Sequence, residues 1–153
     1  MGSIAYKQDV IEWSREQARL LRDGKWSELD IEHLADEIED VGKSESREIA
    51  SRMAILLAHL LKWILQPERR GASWQLTIKT QRKLIRRRVE RMPSLKGELA
   101  DPEWQDEAWG DALLQMNKET GLDFVLEDCP WLMSDVLRDD FWPDALPSNV
   151  VEI

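Results

Sequence analysis

The apolar residues of this chain recur with the 3.6-residue period of amphipathic helices, and no useful stretch shows the two-residue alternation of a strand. Gly24 and Gly121 follow two of the periodic segments, where a glycine readily ends a helix, and Pro67 and Pro93 end two others. The pattern predicts helices over residues of about 9–23, 30–65, 73–92, 94–99, 101–120 and 131–137.

The second segment is the most informative. Its apolar positions from Ile31 to Trp63 fall on one stripe about 120° wide, and the stripe passes Gly42 without a change of phase. One long helix over residues 30–65 is the simplest interpretation, and a break at Gly42 is the alternative, because glycine costs about 1 kcal/mol in a helix. Residues 55–65 are apolar nearly all round, which is typical of a central core helix.

We therefore expect an all-α fold, a bundle of about five to six helices around the long helix. A chain of 153 residues is long enough to bury a core as one domain. The prediction is a single helical domain over residues 1–153. An acidic segment of about 121–153, interrupted by prolines, is expected to pack on it.

Charge is unevenly distributed along the chain. The formal net charge is −9, yet residues 62–91 carry 10 Lys/Arg against 2 Asp/Glu, and residues 92–153 carry 3 against 15. The basic block would either bind an external polyanion or be neutralised by its own acidic chain. Because the total charge is acidic, nucleic acid is an unfavoured partner. The candidate anion-binding residues are Arg69, Arg70, Lys79, Arg82, Lys83, Arg86 and Arg87, with the basic helix at residues 79–91.

Three polar residues interrupt the apolar stripe of the long helix at intervals of seven: Glu45, Arg52 and His59. Glu48 precedes Arg52 by four residues, a spacing that allows an ion pair. Charged groups on a core-facing line need partners. The hypotheses are a structural polar layer, a ligand, metal or proton-transfer site inside the bundle, or a kink at Gly42 that brings these residues to solvent. For His59 we expect a buried imidazole bonded to a carboxylate or carbonyl.

Catalytic and metal motifs are not evident. One cysteine, Cys129, and two histidines cannot supply a thiolate zinc cage or a three-histidine site, so we expect no metal and no cofactor. His33 and Glu37 have the i, i+4 spacing at which two side chains of one helix can bind the same metal ion. We interpret them as part of a solvated helix face. No phosphate-binding loop, glycine-rich dinucleotide turn or nucleophile elbow occurs. Eight tryptophans suit half-buried packing, with an aromatic binding surface as the alternative.

No export signal or membrane-spanning run is evident, so a cytoplasmic location without membrane contact is the expectation.

Several short motifs resemble the domain of unknown function family twenty-nine, an uncharacterised bacterial family rich in cyanobacterial members. The resemblance covers nearly the whole chain and implies an all-helical bacterial domain with no assigned activity. Its motifs are residues 26–30 (WSELD), 34–39 (LADEIE), 41–44 (VGKS), 59–63 (HLLKW), 66–70 (QPERR), 73–78 (SWQLTI), 93–95 (PSL), 119–122 (ETGL), 129–130 (CP) and 140–143 (DFWP).

The absence of catalytic motifs favours a non-enzymatic protein-interaction or regulatory module, with an unknown protein or a second copy as partner. One alternative is a small enzyme or ligand-binding bundle that uses Glu45, Glu48, Arg52 and His59. The other is polyanion binding through residues 79–91.

Overall fold

A computed structural model describes residues 5–148. Within this range the chain is all-α, as predicted, with six α-helices and no strand. The helices are α1 (Val10–Arg22), α2 (Ile31–Leu65), α3 (Ala72–Arg91), α4 (Leu95–Ala100), α5 (Pro102–Thr120) and α6 (Met133–Val136), with 3₁₀ turns at Trp26–Glu28 and Pro67–Arg69.

Side-chain caps and glycines set the helix ends. Asp9 accepts a hydrogen bond from the backbone N–H of Glu12 at the start of α1, and Asp101 does the same for Glu103 at the start of α5. Gly121 ends α5 in the left-handed region at φ 74°, where a side chain would be strained. Helix α2 continues through Gly42 for 35 residues, which confirms the long-helix prediction.

The chain divides into two compact units, Met1–Glu45 and Ser46–Ile153, and α2 passes from one into the other. The single-domain expectation stays a prediction.

The described part of the first unit is a helical hairpin of α1 and the beginning of α2. Trp13 and Leu20 are its buried apolar residues, at 2% and 4% exposure. The indole of Trp13 donates a hydrogen bond to Asp30 (3.0 Å), and the side chain of Gln17 accepts one from the backbone N–H of Asp30 (2.8 Å). These contacts fix α1 against the first turn of α2.

The apolar stripe of α2 is buried in one part and exposed in another. Ile31, Ile38 and Val41 are 69%, 71% and 67% exposed, whereas the residues from Ile49 onward include a fully buried series. The stripe therefore faces a core from Ile49 onward, and its earlier apolar residues are largely exposed. Within the hairpin, α1 and the residues just before it pack on another side of this part of α2, where Tyr6 and Trp13 lie against His33.

The hydrophobic core of the second unit is built on the C-terminal part of α2. Leu56, Leu57, Leu60 and Leu61 are all 0% exposed, as expected for a segment that is apolar nearly all round. The same core contains residues of the other helices of this unit: Ile78, Ile85, Leu95, Trp104, Ala108, Trp109, Ala112, Met116, Met133 and Val136. Each fully buried leucine, isoleucine, valine or methionine of this core contributes roughly 1.5–3 kcal/mol through burial.

The segment after α5 packs on this core through Phe124, Leu126 and Trp131. Asn117 of α5 holds its first part, since its amide donates to the carbonyl of Phe124 (2.7 Å) and accepts from the N–H of the same residue (2.9 Å). The Trp109 indole donates to the carbonyl of Leu126 (2.7 Å). A largely irregular segment is thereby ordered by side-chain bonds to its backbone.

No helix among residues 5–148 combines the length and the apolar character needed to cross a bilayer.

Candidate functional site

The polar line on α2 separates into distinct local arrangements. Glu48 and Arg52 form an ion pair, with 3.0 Å between Oε1 and Nε and with side chains 43% and 27% exposed. Glu45 is partly buried and belongs to the first unit. The ion pair expected from the i, i+4 spacing of Glu48 and Arg52 is therefore present. A ligand-binding role for Glu45, Glu48, Arg52 and His59 stays a prediction.

His59 is a partly buried imidazole bonded to a carbonyl. Its Nδ1 lies 2.8 Å from the carbonyl oxygen of Ile55, one turn earlier. Because a carbonyl only accepts, Nδ1 carries the proton and Nε2 is the basic nitrogen. Burial lowers the pKa of His59, and the charge of Lys62 lowers it further. The ring is therefore neutral at pH 7.

The ion pair between the buried Lys62 and the exposed Glu119 was not predicted from the sequence. Lys62 is 6% exposed, and its ammonium bonds to Glu119 of α5 and lies 5.9 Å from the ring centre of Trp74. The hydrogen bond from Lys62 lowers the pKa of Glu119, and a weaker bond from Gln115 (3.2 Å) acts in the same direction. A lysine in a segment apolar all round indicates a partner, but not one 57 residues away.

Arg82 is a fully buried charged residue of the basic helix, at 0% exposure. Its Nε donates to the carbonyl of Val136 (2.8 Å), Nη2 donates to the carbonyl of Phe141, and the guanidinium lies 5.2 Å from the ring centre of Trp142. Burial lowers its pKa to about 10, so the group stays charged at pH 7. Arg82 therefore fixes the C-terminal segment to α3.

Arg86 and Arg70 also bind the chain itself. Arg86 donates to the carbonyl of Leu137 and to Asp139, both at 2.8 Å. Arg70 donates to the carbonyl of Trp63 (2.6 Å) and lies over the ring of that residue at 5.0 Å. Part of the basic block is thus matched by the acidic segment that follows it.

The other basic candidates lie at the surface. Lys79, Lys83 and Arg87 are exposed at i, i+4 and i+8 on α3, and Arg69 is exposed in the turn before that helix. Helix α3 begins at Ala72, one residue before the predicted start at residue 73. Ser73 therefore lies inside its first turn. Anion binding by these residues stays a prediction.

His33 and Glu37 are joined through Tyr6. The Tyr6 ring stacks on His33 with 4.3 Å between centres, and its hydroxyl donates to Glu37. That bond raises the pKa of Tyr6 to about 12. His33 Nδ1 also lies 2.8 Å from Asp30. Tyr6 thus covers part of both side chains, which makes them less open to solvent than the interpretation as a solvated helix face implies.

Within residues 5–148, no three His, Cys, Asp or Glu side chains are grouped as a metal site would require.

An exposed apolar surface of the hairpin lies along a groove between α1 and α2. The groove has a volume of about 330 Å³, and Val10, Ile11, Leu21 and Leu34 are among the residues that line it. Ile31 and Ile38 share the helix side of Leu34 at spacings of three and four. We call this surface the hairpin face; it comprises Val10, Ile11, Ala18, Leu21, Ile31, Leu34, Ile38 and Val41.

A second groove of about 390 Å³ lies in the other unit, where α4, α5 and α6 meet. Leu132 is its most exposed apolar residue, at 69%. The other large apolar residues that line this groove are buried or partly buried: Leu99, Met133 and Leu137.

Comparison with known proteins gives one match. Neither a curated protein nor a solved structure matches the chain. The model of the family described as "Domain of unknown function DUF29" matches residues 5–142, which confirms the resemblance in the short motifs. By this match, which spans most of its length, the chain belongs to the DUF29 family.

Proposed function

We propose that this protein is a non-enzymatic protein-interaction module and that the hairpin face is its docking surface. The observation that carries the proposal is the exposure of Ile31, Ile38 and Val41, each about 70% exposed on one side of a helix. Contiguous apolar surface of this kind marks interaction sites on soluble domains, whereas single exposed apolar residues need no explanation.

The apolar arc of α1 supports the same proposal. At 100° per residue its apolar side is about 180° wide, roughly twice what one packed neighbour needs. Trp13 and Leu20 occupy one half of this arc and are buried, whereas Val10 and Ile11 occupy the other half at 48% and 62% exposure. A further helix laid in the groove would cover the second half, as in helix-in-groove recognition.

Site-specific photocrosslinking tests the proposal. Benzoylphenylalanine placed at Ile38 should give a discrete protein adduct in native cells, identified by mass spectrometry. The same group at Leu114, which is equally exposed (73% against 71%) but lies on α5, is the matched control. Adducts of equal yield at both positions, or none at Ile38, would contradict the proposal.

A second candidate function is polyanion binding through α3. The observation in its favour is the exposure of Lys79, Lys83 and Arg87 along one side of that helix. Binding of a labelled DNA duplex at low salt should then be lost in the variant Lys83→Glu/Arg87→Glu and retained in Lys118→Glu, a matched exposed position on α5. Equal binding by both variants would exclude a specific role for α3.

A further inference from the structure

We infer that the partner at the hairpin face is a second copy of this chain, docked about a two-fold axis. The inference rests on the proposed function, because it names the partner for the same surface. It follows from the charges on the two edges of that surface.

The edge along α1 is basic. Arg15 and Arg22 follow Ile11 around the helix, on the side away from α2, and both are exposed. Arg15 lies 4.0 Å from Glu12, with side chains 74% and 52% exposed. An ion pair so open to solvent is weak, which leaves the arginine available for a partner.

The edge along α2 is acidic. Glu32 and Glu39 are seven residues apart, two turns of one helix side, and both are exposed. They follow Ile31 and Ile38 around α2, on the side away from α1. The hairpin face thus runs from a basic edge, across apolar residues, to an acidic edge.

A two-fold axis that lies in this face and runs parallel to its helices places the basic edge of each copy opposite the acidic edge of the other. In a symmetric dimer the same patch meets itself, so a patch with edges of opposite sign is self-complementary. Two hairpins docked in this way form an antiparallel four-helix arrangement, in which each groove receives side chains of the opposite copy. Any other partner would need the same arrangement of opposite charges.

The apolar area is sufficient for a dimer. Six side chains of the hairpin face are 43–71% exposed: Val10, Ile11, Leu21, Ile31, Ile38 and Val41. Together they present on the order of 500 Å² of apolar surface. A protein interface of standard size buries about 800 Å² per partner, and at the roughly 65% apolar share of homodimers it needs about the same apolar area.

Paired charge reversals test the inference by sedimentation velocity on the full chain. The wild type should sediment at twice the chain mass of 17.9 kDa. Arg15→Glu/Arg22→Glu makes both edges acidic, and Glu32→Lys/Glu39→Lys makes both edges basic. Each variant alone should dimerise at least about tenfold more weakly, because like charges then meet. An equimolar mixture should recover the dimer as a heterodimer.

Recovery on mixing separates the interface from loss of folding, since two unfolded variants would not restore one another. A monomeric wild type, or a mixture no more associated than its components, would overturn the inference. If the adduct at Ile38 contains another protein and not this chain, the docking surface stands and the second copy is excluded. If there is no adduct and the wild type is monomeric, both proposals fail.

Discussion

At the scale of single residues, the second unit is characterised by buried cations with backbone and side-chain partners. Arg82 follows Ile78 by four residues and precedes Ile85 by three, and both isoleucines are 0% exposed. This spacing places Arg82 on the buried side of α3, although the sequence analysis grouped it with the anion-binding residues of the basic face. The carbonyls that it binds, at Val136 and Phe141, were not, because they lie in an irregular segment more than fifty residues away.

Replacing Arg82 tests this arrangement. Arg82→Ala leaves two carbonyls without their donor and removes the contact with Trp142, so we expect a loss of about 3 kcal/mol in the free energy of unfolding. Urea unfolding measures it. Lys83→Ala, at the next position but exposed, should change the stability by less than about 0.5 kcal/mol. Equal stability of both variants would show that Arg82 does not anchor the C-terminal segment.

The pair of Lys62 and Glu119 predicts a pH dependence. Because folding lowers the pKa of Glu119 below its ordinary value of 4.5, its contribution to stability is complete above that value and is lost as the pH falls through the folded pKa. The stability difference between the wild type and Glu119→Gln should therefore shrink on acidification from neutral pH to about pH 3. Urea unfolding across this range measures it. Glu107→Gln, exposed on the same helix, is the control, and a difference independent of pH would contradict the account.

At the scale of elements, helix positions followed closely from local physics. Periodicity and the residues that end helices predicted 30–65 and 73–92, and the structure has Ile31–Leu65 and Ala72–Arg91. Periodicity could not predict which other element packs against each helix face. The stripe of α2 is one pattern, yet Ile38 is 71% exposed and Met53 is 0% exposed, because burial depends on what packs there.

Continuity of α2 through Gly42 predicts the outcome of a glycine substitution. A Cβ at Gly42 would meet nothing within 4 Å, so Gly42→Ala should stabilise the protein by about 0.5–1 kcal/mol. Gly121→Ala should instead destabilise it by about 1 kcal/mol, because φ is 74° there. Thermal unfolding of both variants measures the two changes. A loss of stability for Gly42→Ala would indicate a break in α2.

At the scale of the whole molecule, the charge pattern has two explanations. Part of the basic block binds the C-terminal acidic segment, as the contacts of Arg86 with Leu137 and Asp139 show. The two edges of the hairpin face carry opposite charges, and in the proposed dimer the basic edge of each copy lies opposite the acidic edge of the other. Sequence alone indicated both amphipathic helices, but only their packing shows that half of the apolar arc of α1 is left uncovered.

The central claim is that two copies of this chain dock through the hairpin face, and sedimentation equilibrium of two matched variants tests it most directly. Ile38→Asp and Leu114→Asp place the same charge at apolar positions of nearly equal exposure, 71% and 73%. The account predicts that Ile38→Asp sediments as a 17.9 kDa monomer with unchanged helicity, whereas Leu114→Asp keeps twice that mass. Equal masses for the two variants would contradict it.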